Sequence, residues 1–301
     1  MLYLPLTIAA YLLNAVAVTI DKILLIKHIP DPLIYVFYFS LVSCLALFLI
    51  PFASLPSGYI LLLASVSTVL WTVGAYFMLK ALKIGQISRV IPVIGTLIPL
   101  FLLIVGIKTG TLTQTEIYAV VTLVLGLVFI TLLDWKGRID KKEIALEIGS
   151  AFFFAISYLL LRYAYESSNF WTVFVYSRPV LIPLGILLIL VPVTRKIIFP
   201  GKTQPYWKSF LKSNALWLFA SGQVAAGVSQ LLLIFSISLA SPALVNALQG
   251  IQYAFLFIAA FLLSKKFPQV FKEKMSATGF YIKALGIIFI SFGLYLLTKG
   301  A

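Results

Sequence analysis

One cysteine and one histidine occur in 301 residues. Cys44, alone inside an apolar run, excludes a disulfide within the chain and leaves no thiolate cluster for a metal. His28, equally alone, removes histidine-rich metal sites and most histidine relays, so neither metal nor cofactor is expected. Acidic residues number nine and sit mostly in connectors. A membrane-embedded enzyme needs paired acids, or a nucleophile with a base in reach, and the chain is therefore not expected to be one. A G-x-x-x-x-G-K-[ST] phosphate loop is also missing, so no ATP-driven step is implied.

Charge as a whole is scarce, at 11% of residues, against 62% hydrophobic residues and a mean hydropathy of +1.09. A soluble fold cannot hide that much apolar surface. Apolar runs of about 20 residues, the length a helix needs to cross the hydrocarbon core, recur from one end of the chain to the other. A membrane barrel would show segments of about 10 residues with alternating polarity, and these runs are longer and apolar all round. The fold class expected is all-α: a polytopic membrane protein of about ten transmembrane helices.

The predicted spans are 3–25, 32–52, 57–81, 88–107, 115–134, 144–165, 171–194, 211–236, 242–263 and 279–297. Breakers divide them: Pro30 and Pro32, Pro51 and Pro56, Gly85, then Gly106 and Gly110 in the first half. Asn169, the stretch from Pro200 to Pro205, Ser241-Pro242 and residues 264–278 serve the second half. The first run lacks a basic leader and an Ala-x-Ala cleavage site, and is read as a span rather than a signal peptide. Glu143 and Glu147 are expected to form a solvated first turn of the sixth helix, where the positive helix end favours them.

An internal repeat underlies the pattern. Residues 76–101 align without gaps on 231–256, placing Gly95 on Gly250 and Gly85 on Ala240, and 12–25 align on 152–165, placing Lys22 on Arg162. Two repeats, 1–135 and 144–299, then hold five helices each. An odd number forces the second to enter the membrane from the opposite side, giving inverted repeats. Of 23 Lys and Arg, 19 fall in or beside the connectors after the first, third, fifth, seventh and ninth helices; the others are Lys108, Arg162, Arg178 and Lys299. The positive-inside rule puts those connectors in the cytoplasm and both termini outside. The net charge of +14 reads as contact with anionic lipid head groups, and nucleic acid is not an expected partner.

Polar residues at membrane depth carry the functional information. Arg178, in "VFVYSRPVLIPLGI" and followed by Pro179, is either a cavity-facing cation for an anionic or zwitterionic solute or a structural arginine. Asn246, Gln249, Gly250 and Tyr253 share one face of the ninth helix, set for a solute or for a neighbouring helix, and Gln252 points elsewhere. Gln223 and Gln230 flank Gly227 on the eighth helix and are read as packing, with a cavity wall as the alternative. Pro92, Thr96 and Pro99 line one face of the fourth helix, with the prolines as kink candidates. Asn14, Trp71 and Tyr76 complete a possible chamber. Asp21 is read as interfacial, solvated or paired with Lys22 or Lys27, without a transport role.

Several stretches resemble the EamA-like family of the drug/metabolite transporter superfamily. They are "VTIDKILLIKHIPDPLIYVFY" (18–38), Arg178 early in the second helix of its repeat, "ALKIG" (81–85), and "SLASPALVNALQGIQYAFLFIAAFLL" (238–263) followed by "GIIFISFGLYLL" (286–297). The resemblance implies ten helices in two halves around a central chamber, and alternating-access movement of amino acids, drugs or other metabolites across the plasma membrane by a monomer or homodimer. It also implies cytoplasmic termini, opposite to the charge count. Family members often carry a Gly-Glu pair after the fourth helix of each repeat, where this chain reads "GIKTG" (106–110) and "LLSKK" (262–266). A non-transporting scaffold or lipid-associated protein is the alternative, and it requires the polar faces to pack on each other with no chamber left.

Overall fold

The computed structural model describes residues 2–27, 31–85, 87–110, 112–131, 141–199, 215–263 and 277–299. His28 and the basic connectors at 132–140, 200–214 and 264–276 lie outside the described residues. Every regular element among those described is helical. Seven helical stretches are long and apolar enough to cross a membrane, and Gln114–Phe129 and Tyr281–Gly293 are shorter apolar helices. Large apolar side chains face outward along them, among them Phe48, Trp217 and Leu190, each more than two-thirds exposed. The chain is a multi-pass membrane protein, with lipid covering what water could not.

In chain order the helices are α1 (Tyr3–Lys27), α2 (Pro32–Ser43), α3 (Gly58–Ile84), α4 (Ile87–Thr109), α5 (Gln114–Thr131) and α6 (Lys141–Glu166). They continue as α7 (Phe170–Tyr176), α8 (Leu181–Leu190), α9 (Pro192–Ile198), α10 (Ala215–Leu239), α11 (Pro242–Ala247), α12 (Gly250–Leu263) and α13 (Ala277–Lys299). Their starts follow from local chemistry. The side chains of Asp31 and Asn169 accept from Leu33 N (2.9 Å) and Thr172 N (2.8 Å), satisfying donors that a helix start leaves open. Ser57 and Ser241 cap α3 and α11 in the same way, with Pro242 in the first turn where its missing N–H costs nothing. Gly110, at φ 66°, follows the end of α4 in the left-handed region that side chains avoid.

Three predicted spans are interrupted. The second tightens after Ser43 into a nine-residue 3₁₀ helix, Cys44–Phe52, far longer than the usual three or four residues and containing Pro51. The seventh breaks at Ser177–Val180, because Pro179 has no N–H to continue α7, and again at Val191, which is extended before Pro192. The ninth breaks at Leu248 and Gln249, where tight bonds such as Gln249 N to Asn246 O (3.1 Å) replace the α-helical ladder.

α1 packs along α10, α3 along α6, and α5 along α13, while α4 meets α11 and α2 meets α8. Small residues let these backbones approach: Gly74 lies against Phe154, and Ala10, Ala15, Ala151 and Ala155 are buried. Hydroxyls then bond across the helices. Ser150 Oγ donates to Gly74 O at 2.8 Å between α6 and α3, and Ser229 Oγ donates to Ala10 O at 2.7 Å between α10 and α1. Ser67 and Ser157 exchange bonds to each other's carbonyls, at 2.9 and 2.8 Å.

The first turn of α6 corrects one expectation. Glu143 and Glu147 are buried, at 4% and 2% exposure, rather than solvated. The antiparallel packing of α6 on α3 brings this turn over the end of α3, so close that a Cβ on Gly85 would lie 1.9 Å from Glu143 Oε1. Lys22 Nζ reaches the same place and donates to Leu82 O (2.6 Å) and Gly85 O (2.8 Å), filling acceptors that the end of α3 leaves open.

Candidate functional site: a cavity lined by Arg178 and Asp21

A cavity of about 390 Å³ lies among α1, α2 with its 3₁₀ extension, α3, the α7–α8 break and α10. Helical periodicity decides which side chains reach it. α1 presents Asn14, Ala17, Val18 and Asp21, at offsets 0, 3, 4 and 7 on one face. α10 presents Gln223, Ala226, Gly227, Gln230 and Leu231 by the same rule. A Cβ on Gly227 would meet nothing within 4 Å, so the glycine opens directly into the space. α3 adds Trp71, whose ring lies 5.1 Å from that of Phe39, also on the cavity wall, and is backed by Phe154 at 5.7 Å.

Arg178 sits in the α7–α8 break and lines this cavity at 9% exposure. Its backbone is fully used, with Arg178 N donating to Val175 O (3.3 Å) and Leu181 N to Arg178 O (3.0 Å). Its guanidinium is not: it lies 4.9 Å from the Phe174 ring centroid and makes no hydrogen bond or ion pair among the described residues. A cation at membrane depth costs at least about 2.5–3.5 kcal/mol. One cation–π contact returns about 0.5–1 kcal/mol at an exposed site and about 2 kcal/mol or more when desolvated. Among the described residues nothing accepts from its N–H donors, which leaves them open to the cavity it lines. Asp21 also lines the cavity, and its carboxylate likewise bonds to no described residue.

The remaining sequence candidates separate into two places. Asn14, Trp71 and Arg178 line the cavity together. Asn246, Gln249 and Tyr253 do not; they join a buried polar knot between α4 and the α11–α12 break. Asn246 Nδ2 donates to Pro242 O (2.8 Å) and Tyr11 Oη to Asn246 Oδ1 (3.5 Å). Tyr253 Oη donates to Ile91 O (2.8 Å), and only a glycine at 95 leaves it room, since a Cβ there would lie 1.7 Å away. Gln249 and Asn14 both donate to Gln252 Oε1, at 3.5 and 3.2 Å, so Asn14 ties the knot to the cavity wall. Tyr76 is elsewhere, with Lys80 Nζ 4.6 Å over its ring. Pro92 and Pro99 both lie inside an unbroken α4, and the Pro92 carbonyl accepts from Thr96 Oγ1 (2.8 Å).

Asp21, read from the sequence as interfacial and solvated or paired with Lys22 or Lys27, lines the cavity. Successive helical residues diverge by about 100°, so Asp21 faces the cavity while Lys22 turns to the end of α3, and the two do not pair. Its signal was the seven-residue spacing from Asn14. Gln223 and Gln230, read as packing, are cavity wall and make no hydrogen bond among the described residues.

No family model matches this chain, and no curated protein does. Solved structures do: among 16 matching chains, one described only as "Crystal structure of protein" has a TM-score of 0.62 at 15% identity, covering 97% of this chain and 99% of its own. This chain is similar to it in fold over nearly the whole of both.

Proposed function

We propose that the chain is an EamA-like carrier of the drug/metabolite transporter superfamily, moving small polar solutes across the plasma membrane by alternating access. The observation that carries this reading is Arg178, buried and without a hydrogen bond or ion pair among the described residues, against a cavity large enough for a small solute. A structural arginine would be paired within the bundle. A scaffold would have closed its polar faces on one another; the α11–α12 face does so, whereas Gln223 and Gln230 of α10 line the cavity and make no hydrogen bond among the described residues.

The reading includes about ten spans in two inverted halves, 1–135 and 144–299. The seven long apolar helices, the two shorter ones and the broken α11–α12 pair support that number. Carried two residues beyond its N-terminal bounds, the repeat alignment pairs residue 10 with 150 and residue 74 with 229. A serine at 150 bonds the carbonyl of 74, and a serine at 229 bonds the carbonyl of 10, the same bond made from the opposite member of each pair. The contacts α1–α10 and α6–α3 exchange under the same operation, while α5–α13 and α4–α11 map onto themselves. Broken second and seventh helices beside the cavity are the discontinuous elements on which carriers build sites. The ten helices close the path within one chain, with substrate between the halves and anionic lipid at the basic connectors.

A solute screen on the purified chain in detergent, read as melting temperature, tests the site. Organic anions and zwitterions are expected to raise it by several degrees in the wild type and by nothing in Arg178→Gln. Equal shifts in both proteins would remove Arg178 from the site.

A further inference from the structure

The cavity holds a second charge, of opposite sign and at its other end. Asp21 stands one turn and a half before the end of α1, next to Tyr35 near the start of α2, whose hydroxyl donates to the Asp21 carbonyl at 3.4 Å. Arg178 follows α7, and α7 packs on the 3₁₀ helix that finishes the second span. The two charges thus sit toward opposite membrane faces. From Asp21 to Asn14 alone, seven residues along α1, is about 10 Å, and Arg178 lies toward the end that Asn14 marks. Between them the wall is apolar on two sides, with Val18 from α1 and Ala75 and Met78 from α3. Neither charge is neutralised by a described residue, although the neighbouring Lys22 is fully engaged at the end of α3.

We propose that the cavity recognises an elongated zwitterion, a solute with its ammonium at Asp21, its carboxylate at Arg178 and an apolar stem between them. The proposal rests on the carrier reading and narrows its substrate class. An α-amino acid, whose charges are separated by only two bonds to one carbon, reaches one of the two sites and leaves the other charge unmet. A linear ω-amino acid reaches both. Gln223 and Gln230, on the α10 wall, supply hydrogen bonds to amide or hydroxyl groups along such a stem.

The experiment is a length series on the purified full chain in nonionic detergent: glycine, 4-aminobutyrate, 6-aminohexanoate and 8-aminooctanoate, with octanoate and octylamine carrying one charge each. Melting temperature against concentration gives the apparent affinity. Affinity should rise along the series, and 8-aminooctanoate should bind about tenfold tighter than octanoate. Asp21→Asn should bind 8-aminooctanoate no better than octanoate while octanoate holds its wild-type affinity. Arg178→Gln should lose the octanoate response and keep that to octylamine. A flat length series, or a preference for 8-aminooctanoate that survives Asp21→Asn, overturns the proposal; if octanoate still depends on Arg178, the carrier reading stands without it. Loss of all Arg178-dependent binding overturns both. The unliganded melting temperature of each variant, with Asp21→Glu beside Asp21→Asn, shows that a lost response is not a lost fold.

Discussion

Gly95 is where the side chains of Tyr253 and Gln249 press on α4, and Gly95→Ala gives the sharpest energetic prediction. The new Cβ would sit 1.7 Å from Tyr253 Oη and 2.7 Å from Gln249 Oε1, against about 3.5 Å for an unstrained contact. The tyrosine must swing away and abandon Ile91 O. Overpacking of this kind costs about 1–3 kcal/mol, and an interhelical hydrogen bond in a membrane bundle is worth about 0.6 kcal/mol. Alanine's better helix propensity returns about 1 kcal/mol. The expected net loss is therefore about 0.6–2.6 kcal/mol. Tyr253→Phe alone loses only the hydrogen bond, about 0.6 kcal/mol. Because it also removes the atom in the way, Gly95→Ala should cost at least about 1 kcal/mol less in the Tyr253→Phe background, a coupling within the usual range for contacting residues. Equilibrium unfolding of the four proteins in mixed micelles measures the cycle. Equal costs in both backgrounds, or a Gly95→Ala protein more stable than wild type, would refute the packing described for α4 and α12.

Two other expectations follow from the same bonds and charges. Ser150→Ala and Ser229→Ala, which remove related hydroxyl-to-carbonyl bonds at 2.8 and 2.7 Å, should each lose about 0.6 kcal/mol, and their sum should hold in the double variant because the sites share no partner. Arg178→Gln, besides losing its response to anions, should melt no lower than wild type without ligand, since it removes a buried charge that no described residue pairs; calorimetry or fluorescence melts on the unliganded protein check this.

Much of the fold is legible in hydropathy alone. Apolar runs near spanning length, divided by proline and glycine, point to the helices because a bilayer leaves the backbone few alternatives. Caps are legible too: Asp31-Pro32 and Ser241-Pro242 stand where α2 and α11 begin. Interruptions are less so. Pro179 marks the α7–α8 break, but proline does not decide alone, since α4 carries Pro92 and Pro99 without interruption.

The site is only half legible, and the reason is geometric. Periodicity tells which residues share a face and not what the face meets. Gln249 and Tyr253 meet α4, where Gly95 admits the tyrosine, while Asn246, beyond the break in the helix, meets Tyr11 of α1. Gln223 and Gln230 share a face of α10, and it meets open space. Glu143 is buried because α6 lies over the end of α3, a contact between residues nearly 60 positions apart that no local pattern encodes. Asp21 was obscured by its neighbour: beside a lysine near the end of a helix it reads as one surface ion pair, while helical rotation sends the two in different directions.

The measurement that bears most directly on alternating access is the two-sided reach of one cavity residue. Cys44→Ser removes the native thiol, and Gly227→Cys then places a single thiol where a Cβ meets nothing within 4 Å. An impermeant methanethiosulfonate reagent is applied to sealed right-side-out and inside-out vesicles. The carrier account predicts labelling in both, with 8-aminooctanoate slowing it in each; a thiol that reacts from neither side, or from one side only under every condition, would contradict it.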